Sequence, residues 1–390
     1  MSIPTLSVQM DLGDPSGTPT WSADLTPYVR FWSTRRGSNR ELNRVEAGTA
    51  IMRLNNRSGR FTPEDPSSIF YPNLLPMRRV RIRATWNSVT YPIFAGFVES
   101  WPVGFPDVVD QTIDVSLVDG FKVLALASIS GSFSQQLSGA RVTAILDAAG
   151  WPAADRNINT GLSTIAAATL DNESALTHLQ AVEHAEGGRL YIARDGTLTF
   201  LDRYAVLTGG SGYNFYGKTW SDDGTAMTYR DIVLTFDDTL LINDVRLTRT
   251  GGVEQVATDS ASITKFFRRS FTETGVVLAT DNEVSDFASW MVGLYGTPEI
   301  RAERIEDNAM GHDRWDFLLS LDIRDRVLVT KTPVGAGTIS QDSFLEGISH
   351  DSNGQEWRTS VNVSPASNAT GWLVLNDAVW GQLNSGKLGR

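Results

Sequence analysis

The stretch Arg79-Val80-Arg81-Ile82-Arg83-Ala84-Thr85-Trp86 constrains the fold of this chain more tightly than any other. Side chains alternate along a strand, so Val80, Ile82, Ala84 and Trp86 share one face and Arg79, Arg81, Arg83 and Thr85 the other. An apolar face behind a basic one suits an antiparallel sheet that packs a core on one side and meets water on the other. Asn87-Ser88 can turn the chain back into Val89–Val98, where Pro92 predicts an edge or a bulge. Leu6, Val8, Met10 and Leu12 alternate in the same way, as do Ile113, Val115 and Leu117. Residues 1–127 therefore read as short antiparallel strands joined by turns, a barrel or a sandwich.

From Ser128 the period changes. Val142, Ile145, Leu146 and Ala149 fall at helical spacing, and Gly150-Trp151-Pro152 ends that helix. Asp171 or Asn172 is placed to cap a second helix carrying Leu176, Leu179 and Val182 on one stripe. Arg189–Arg194 and Thr197–Leu201 flank Asp195-Gly196, a strong hairpin signal. Residues 128–205 thus form an α+β insert, and 206–235, with Gly209-Gly210-Ser211-Gly212, a Gly-rich loop.

Strands are expected again at Asn243–Thr250, Ser262–Phe271, Arg326–Thr330, Phe344–Ser349 and Trp357–Val363. A helix bearing Val284, Phe287, Ala288, Met291 and Leu294 interrupts them and stops at Gly296-Thr297-Pro298. A short helix is expected around Trp315, Leu318 and Leu319. The order Arg79–Ile82, Phe94–Glu99, Asp114–Val118 is echoed by Arg326–Val329, Phe344–Ser349, Ser360–Ser364, which suggests a second, similar β-barrel over 236–365. Residues 366–390 make a C-terminal arm. The fold class is mainly β, two antiparallel barrels with a small helix/hairpin insert.

Composition narrows the chemistry. The chain of 390 residues has no cysteine, which removes disulfides, thiolate metal sites and cysteine nucleophiles. The four histidines include His178 and His184, which are not at the i, i+4 spacing of a zinc-binding helix pair. His312 and His350 suit surface or cap positions. Asp222-Asp223 and Asp237-Asp238 fit solvated turns better than a carboxylate catalytic pair or a calcium loop, and no nucleophile elbow or phosphate loop occurs. No enzyme activity, cofactor or metal is expected. A net charge of −11 argues against general nucleic-acid binding. No apolar run reaches the ~20 residues of a membrane span, and Met1-Ser2-Ile3-Pro4 lacks the features of an export signal, so cytoplasmic synthesis is expected.

Two regions are candidate interfaces. Arg79, Arg81 and Arg83, with Arg78 beside them, form the one basic patch. It is either a contact for an acidic neighbouring subunit or a solvated sheet face with cross-strand acids opposite. Trp372 and Trp380 stand in the C-terminal arm among Leu373, Val374, Leu375 and Val379. They would be costly to expose, so the arm either docks on a neighbour or packs as a final strand on its own domain.

Segments spread over nearly the whole chain carry a family resemblance. Glu41–Thr49 runs into Leu54-Asn55-Asn56-Arg57-Ser58-Gly59-Arg60-Phe61-Thr62-Pro63, followed by Tyr71-Pro72-Asn73-Leu74 and Gly96-Phe97-Val98-Glu99. Glu186-Gly187-Gly188-Arg189, Leu321–Val327, Phe344–His350 and Trp372–Trp380 extend it. The chain resembles minor tail proteins of siphophages that infect actinobacteria, of the baseplate-hub (tail-hub) family. That resemblance implies a homotrimer at the virion tail tip, each subunit supplying two tube-like barrels so that a threefold ring continues a sixfold tail tube. It implies as partners distal tail and tail-tube proteins, the tape measure and other tail-tip proteins, with DNA passing through the ring; the net negative charge would suit a lumen that DNA crosses without specific binding. A sixfold distal-tail ring, a receptor-binding tail protein and a cell-wall hydrolase are the alternatives.

Overall fold

The computed structural model describes residues 3–39, 44–57, 59–102, 111–208, 218–308, 314–335 and 337–366. The alternating stretch forms the strand it predicts, β5 (Arg79–Trp86), within a set that also holds β1 (Thr5–Met10), β2 (Ala23–Asp24), β3 (Val29–Gly37), β4 (Glu46–Asn55), β6 (Val89–Ser100) and β7 (Thr112–Val118). Val80, Ile82 and Ala84 are fully buried, as their shared face requires. Asn87 and Ser88 take φ of 46° and 65°, the left-handed pair that suits a two-residue hairpin turn. Opposite Pro92 the register shifts between Ile82 and Arg83, the expected bulge.

The chain leaves β7 through α1 (Gly120–Leu126), a helix that residue patterning did not reveal. The middle region holds β8 (Ser128–Phe133), β9 (Gln136–Leu137), α2 (Ser138–Ala148), β10 (Arg156–Ile158), β11 (Thr164–Ile165), β12 (Ala168–Ser174), α3 (Ala175–Glu186), β13 (Arg189–Ile192), β14 (Leu198–Leu201) and α4 (Arg203–Thr208). Gly150 has φ of 71° just beyond α2, and Gly196, at φ 96°, turns β13 into β14. The cap of α3 is Ser174, whose hydroxyl accepts the Thr177 N–H, and not Asp171 or Asn172. Those two residues sit in β12 at a shift of register, where pairing with β8 takes precedence over a local cap.

Next come β15 (Thr219–Ser221), β16 (Asp231–Thr235), β17 (Asp244–Arg249), β18 (Gln255–Thr258), α5 (Ser260–Phe266), β19 (Ser270–Val276) and α6 (Asp281–Tyr295). They are followed by β20 (Arg301–Asn308), α7 (Trp315–Ser320), β21 (Arg326–Lys331), β22 (Ile339–Ser352) and β23 (Trp357–Pro365). The first half of the strand expected over Ser262–Phe271 is α5, and only Ser270 and Phe271 are strand, at the start of β19. Asp259 accepts the Ser262 N–H and nucleates a helix that outweighs the β-branched Ile263 and Thr264.

Strand order repeats between the two β regions. The first runs β3-β4-β7-β6-β5-β1 and the second β16-β20-β23-β22-β21-β15. The outermost pair differs in direction, antiparallel for β1 with β5 and parallel for β15 with β21. The long β22 pairs with β21 through its first half and with β3 through its second, joining both regions in one 13-stranded sheet. Among the described residues the path of paired strands is open, and closure of either region into a barrel is not seen.

Two cores follow. The first spans both regions, and the indoles of Trp86, Trp315, Trp357 and Trp32 touch in series across it. The second gathers α1, α2, α3 and the β13–β14 hairpin with β17, β19 and α6. The three-stranded sheet β18-β17-β19 and α6, although they fall within 236–365, thus pack with the insert.

Candidate functional site

The seam where β3 meets β22 depends on two glycines facing one another, Gly37 and Gly347. A Cβ on Gly37, whose φ is +90°, would lie 2.1 Å from the Glu346 carbonyl oxygen. One on Gly347 would lie 2.5 Å from the Ser38 carbonyl oxygen. Only glycine permits that approach.

At this point β22 is irregular, its register with β23 shifting between Leu345 and Gly347. The intervening Glu346 is fully buried. Its carboxylate accepts from Arg189 of β13 at 2.9 Å, from Ser364 of β23 at 2.5 Å and from Arg324. Burial opposes its ionisation, but Arg324 and then Arg189 outweigh burial and hold the carboxyl below the usual range. A second ionic tie runs beside it. Asp322 accepts from Arg36 of β3 at 2.8 Å and faces Arg194 of the insert hairpin at 3.7 Å. Insert, first sheet and second sheet are thus fixed by acids from the second region. Pattern reading passed over Glu346 because its partners are distant in sequence. Its local signal was a lone acid between Phe344-Leu345 and Ile348 in an apolar strand.

Next to this network lies a cavity of about 190 Å³. Its walls include Phe271, Phe287, Trp290, Met291 and Leu294, with Arg189 and Arg324 among its polar lining and Ser364 and Pro365 on the carboxyl-end side.

The arginine stripe is brought together as expected, but its partners differ. Arg79 reaches Asp155 of the insert at 3.2 Å and stacks near Phe97. Arg81 and Arg83 share the Gln9 side-chain oxygen, each with a 2.7 Å bond, and Arg81 lies 4.3 Å from the Trp21 ring centre. Burial, then the neighbouring Arg83, lowers the pKa of Arg81. The reading as a solvated sheet face puts cross-strand acids opposite the stripe, but the partner of Arg81 across to β1 is a neutral amide, Gln9, so this face keeps an excess of positive charge. Arg78 is buried and donates to backbone oxygens of Asn73 and Gly13. Trp372 and Trp380 lie outside the described residues.

Among the described residues no group of three or more His, Asp and Glu side chains could hold a metal ion. His178 accepts from Arg141 at 3.3 Å, and burial, then Arg141, pushes its pKa down to about 4. His350 is buried rather than at the surface. Its Nδ1 accepts from the Trp357 indole at 3.4 Å, and burial, then Arg36 and Arg194, lowers its pKa to about 3. His184 pairs with Glu273 at 2.6 Å, and His312 lies outside the described residues. Asp222 and Asp223 hold a turn through Thr332, Ser221 and Thr225. Asp237 and Asp238 pair separately with Arg301 and Arg269. Neither pair forms a carboxylate dyad.

No family model matches the chain, and no curated protein sequence does either. Solved structures do match. A 43 kDa tail protein of prophage MuSo2 from Shewanella oneidensis superposes with a TM-score of 0.61 at 12% identity, covering 94% of this chain and 98% of that one. A tail protein from Neisseria meningitidis MC58 gives 0.61 at 14% identity, covering 93% and 99%. The Escherichia coli c3393 protein, a type VI secretion component described as structurally similar to the T4 tail proteins gp27 and gp5, gives 0.51 at 8% identity over 88% and 75%. The chain has the fold of these tail proteins over nearly its full described length.

Proposed function

We propose that this protein is a structural component of a phage tail, a hub at the tail tip that assembles as a homotrimeric ring and lets DNA pass. The observation that carries this reading is the repeated six-strand order in the two β regions. Two similar units per subunit are what a threefold ring needs in order to continue a sixfold tube. The superposition on two prophage tail proteins over more than nine-tenths of each chain supports the tail assignment.

In this reading the tube-like units are residues 1–127 and a later β region that ends at 365 and takes in two strands, β15 and β16, from the 206–235 stretch expected to be a loop. Packing favours building the second from β15, β16 and β20–β23, with β17–β19 and α6 grouped with the insert. The arginine stripe on β5 faces an acidic surface of the neighbouring subunit, since a chain of net charge −11 offers such surfaces and, although Arg79 pairs with Asp155, Arg81 and Arg83 have no acidic partner among the described residues. Distal tail proteins and the tape measure are the partners above and below the ring. The role is architectural, without catalysis.

The test is the particle mass of the purified chain by native mass spectrometry, followed by imaging of tails. A trimer supports the hub. A hexamer transfers the chain to a sixfold distal-tail ring. A chain that stays monomeric even when co-expressed with neighbouring tail proteins sinks the ring altogether.

A further inference from the structure

The cavity beside Glu346 sits where the described chain ends. Ser364 and Pro365 line it, and Ala366, the next residue, is buried and donates its N–H to the Asp342 carbonyl at 2.8 Å. The chain is therefore anchored at the rim, and residues 367–390 start from there. At ~3.3–3.6 Å per extended residue, Trp372 can reach no further than about 20 Å from Ala366, and Trp380 about 50 Å. Trp372 is the first large side chain after the rim, with only Ser, Asn, Ala, Thr and Gly between.

The cavity matches an indole in size and chemistry. Its volume, about 190 Å³, exceeds the ~150 Å³ at which an apolar cavity in another protein accepts benzene. Phe271, Phe287, Trp290 and Leu294 supply an apolar wall, and the Trp290 indole N–H has no partner among the described residues. The guanidinium groups of Arg189 and Arg324 stay fixed by Glu346, so cations flank the space that a ring would enter. We propose that this cavity receives the chain's own residues 367–390, with Trp372 as the side chain that fills it. The occupant is the same subunit's arm because the tether starts at the rim, which makes its local concentration far higher than that of any separate chain. The proposal does not depend on the tail assignment.

The protein has no cysteine, so a single reporter can be introduced. Leu294→Cys places a thiol in the cavity wall of the full-length chain. The rate of its reaction with a thiol reagent is compared with the same reporter in a chain ending at Ala366 and in one carrying Trp372→Ala. Circular dichroism checks that each variant is folded. Both changes are expected to raise the rate at least about tenfold, the factor given by an anchor of about 1.4 kcal/mol, while Trp380→Ala leaves it within twofold. Protection should not change over about a hundredfold dilution, because the tether is intramolecular. Equal rates with and without the arm would overturn the proposal. Protection that vanishes on dilution would also overturn it, assigning the cavity to the arm of a second copy. Should Leu294→Cys not fold, binding of indole by calorimetry replaces it, with saturable binding to the chain ending at Ala366 and none to the full chain as the expected result. Equal indole binding by both would overturn it.

Discussion

Trp32 of the first sheet region and Trp357 of the second meet edge to face, with ring centres 4.8 Å apart and planes at 83°. Both are almost completely buried, and Trp315 also packs on Trp357, with ring centres 5.5 Å apart. A core shared in this way ties the stability of one region to the other.

Trp357→Ala should cost about 3–5 kcal/mol, through lost burial and the cavity it leaves. Denaturant unfolding followed by two probes, one in each region, should show a single transition moved to lower denaturant. Separate transitions, with only the second region shifted, would mean that the regions fold independently.

Glu346→Gln removes the charge that balances Arg189 and Arg324 in a dry site. Breaking such a cluster from one side costs about 3–5 kcal/mol, because the remaining charges stay buried. The pH dependence follows from the lowered carboxyl pKa. The wild-type contribution is present above the unfolded pKa and is lost as pH falls through the lower folded value. The variant should be less stable at neutral pH and should lose less on acidification. Melting temperatures from pH 7 down to pH 3 check this, and parallel curves would refute it.

Asp307 of β20 gives the opposite slope. Both its carboxyl oxygens are buried and meet no hydrogen-bond partner of good geometry among the described residues, and burial, offset only in part by the Trp220 indole N–H turned towards it, raises its pKa to about 7. The folded state therefore holds this proton more tightly than the unfolded chain. Stability from this group is full below the unfolded value near 3.8 and declines as pH rises to about 7. Asp307→Asn should be more stable than wild type at pH 8, by about 2–4 kcal/mol, and nearly equal at pH 4. A variant no more stable at pH 8 than at pH 4, relative to wild type, would show that Asp307 ionises freely in the fold. Asp119, the cap of α1, is likewise raised to about 7 by burial, so some of the slope should persist in the variant.

The pair Arg81→Gln and Arg83→Gln tests the basic stripe. Subunit stability should change by less than about 1 kcal/mol, since neither side chain has an acidic partner among the described residues to lose. Assembly should weaken, and wild-type assembly should weaken with added salt more than that of the double variant. Particle mass against salt concentration measures both. An unaltered assembly and salt response would leave the stripe as a solvated sheet face.

Much of the fold was legible because its signals are local. The period of two in β5, the Asp195-Gly196 turn and the spaced apolar residues of α6 each act within a dozen residues, and each predicted element is present. β3 and β4 were missed because their buried positions include small or polar residues, such as Thr34, Gly48 and Ala50, that give a weak apolar period. In α5 a single aspartate cap outweighed strand propensity. Ser174 was passed over as a cap because Asp171 and Asn172 offered the same chemistry a few residues earlier. The seam itself has no local code. Gly37 is an ordinary turn residue until it is seen against Glu346, and Glu346 is an anomaly until Arg189 and Arg324 are beside it.

The double pairing of β22 has a mechanical consequence. Residues 347–352 run antiparallel to residues 32–37 of β3 while the same strand is also paired with β21 and β23. A load that drags one region past the other along the strand axis pulls on all of these backbone bonds at once, so they must fail together. A load that peels the sheets apart from one end would meet them one at a time. The joint is stiff to sliding and weak to peeling.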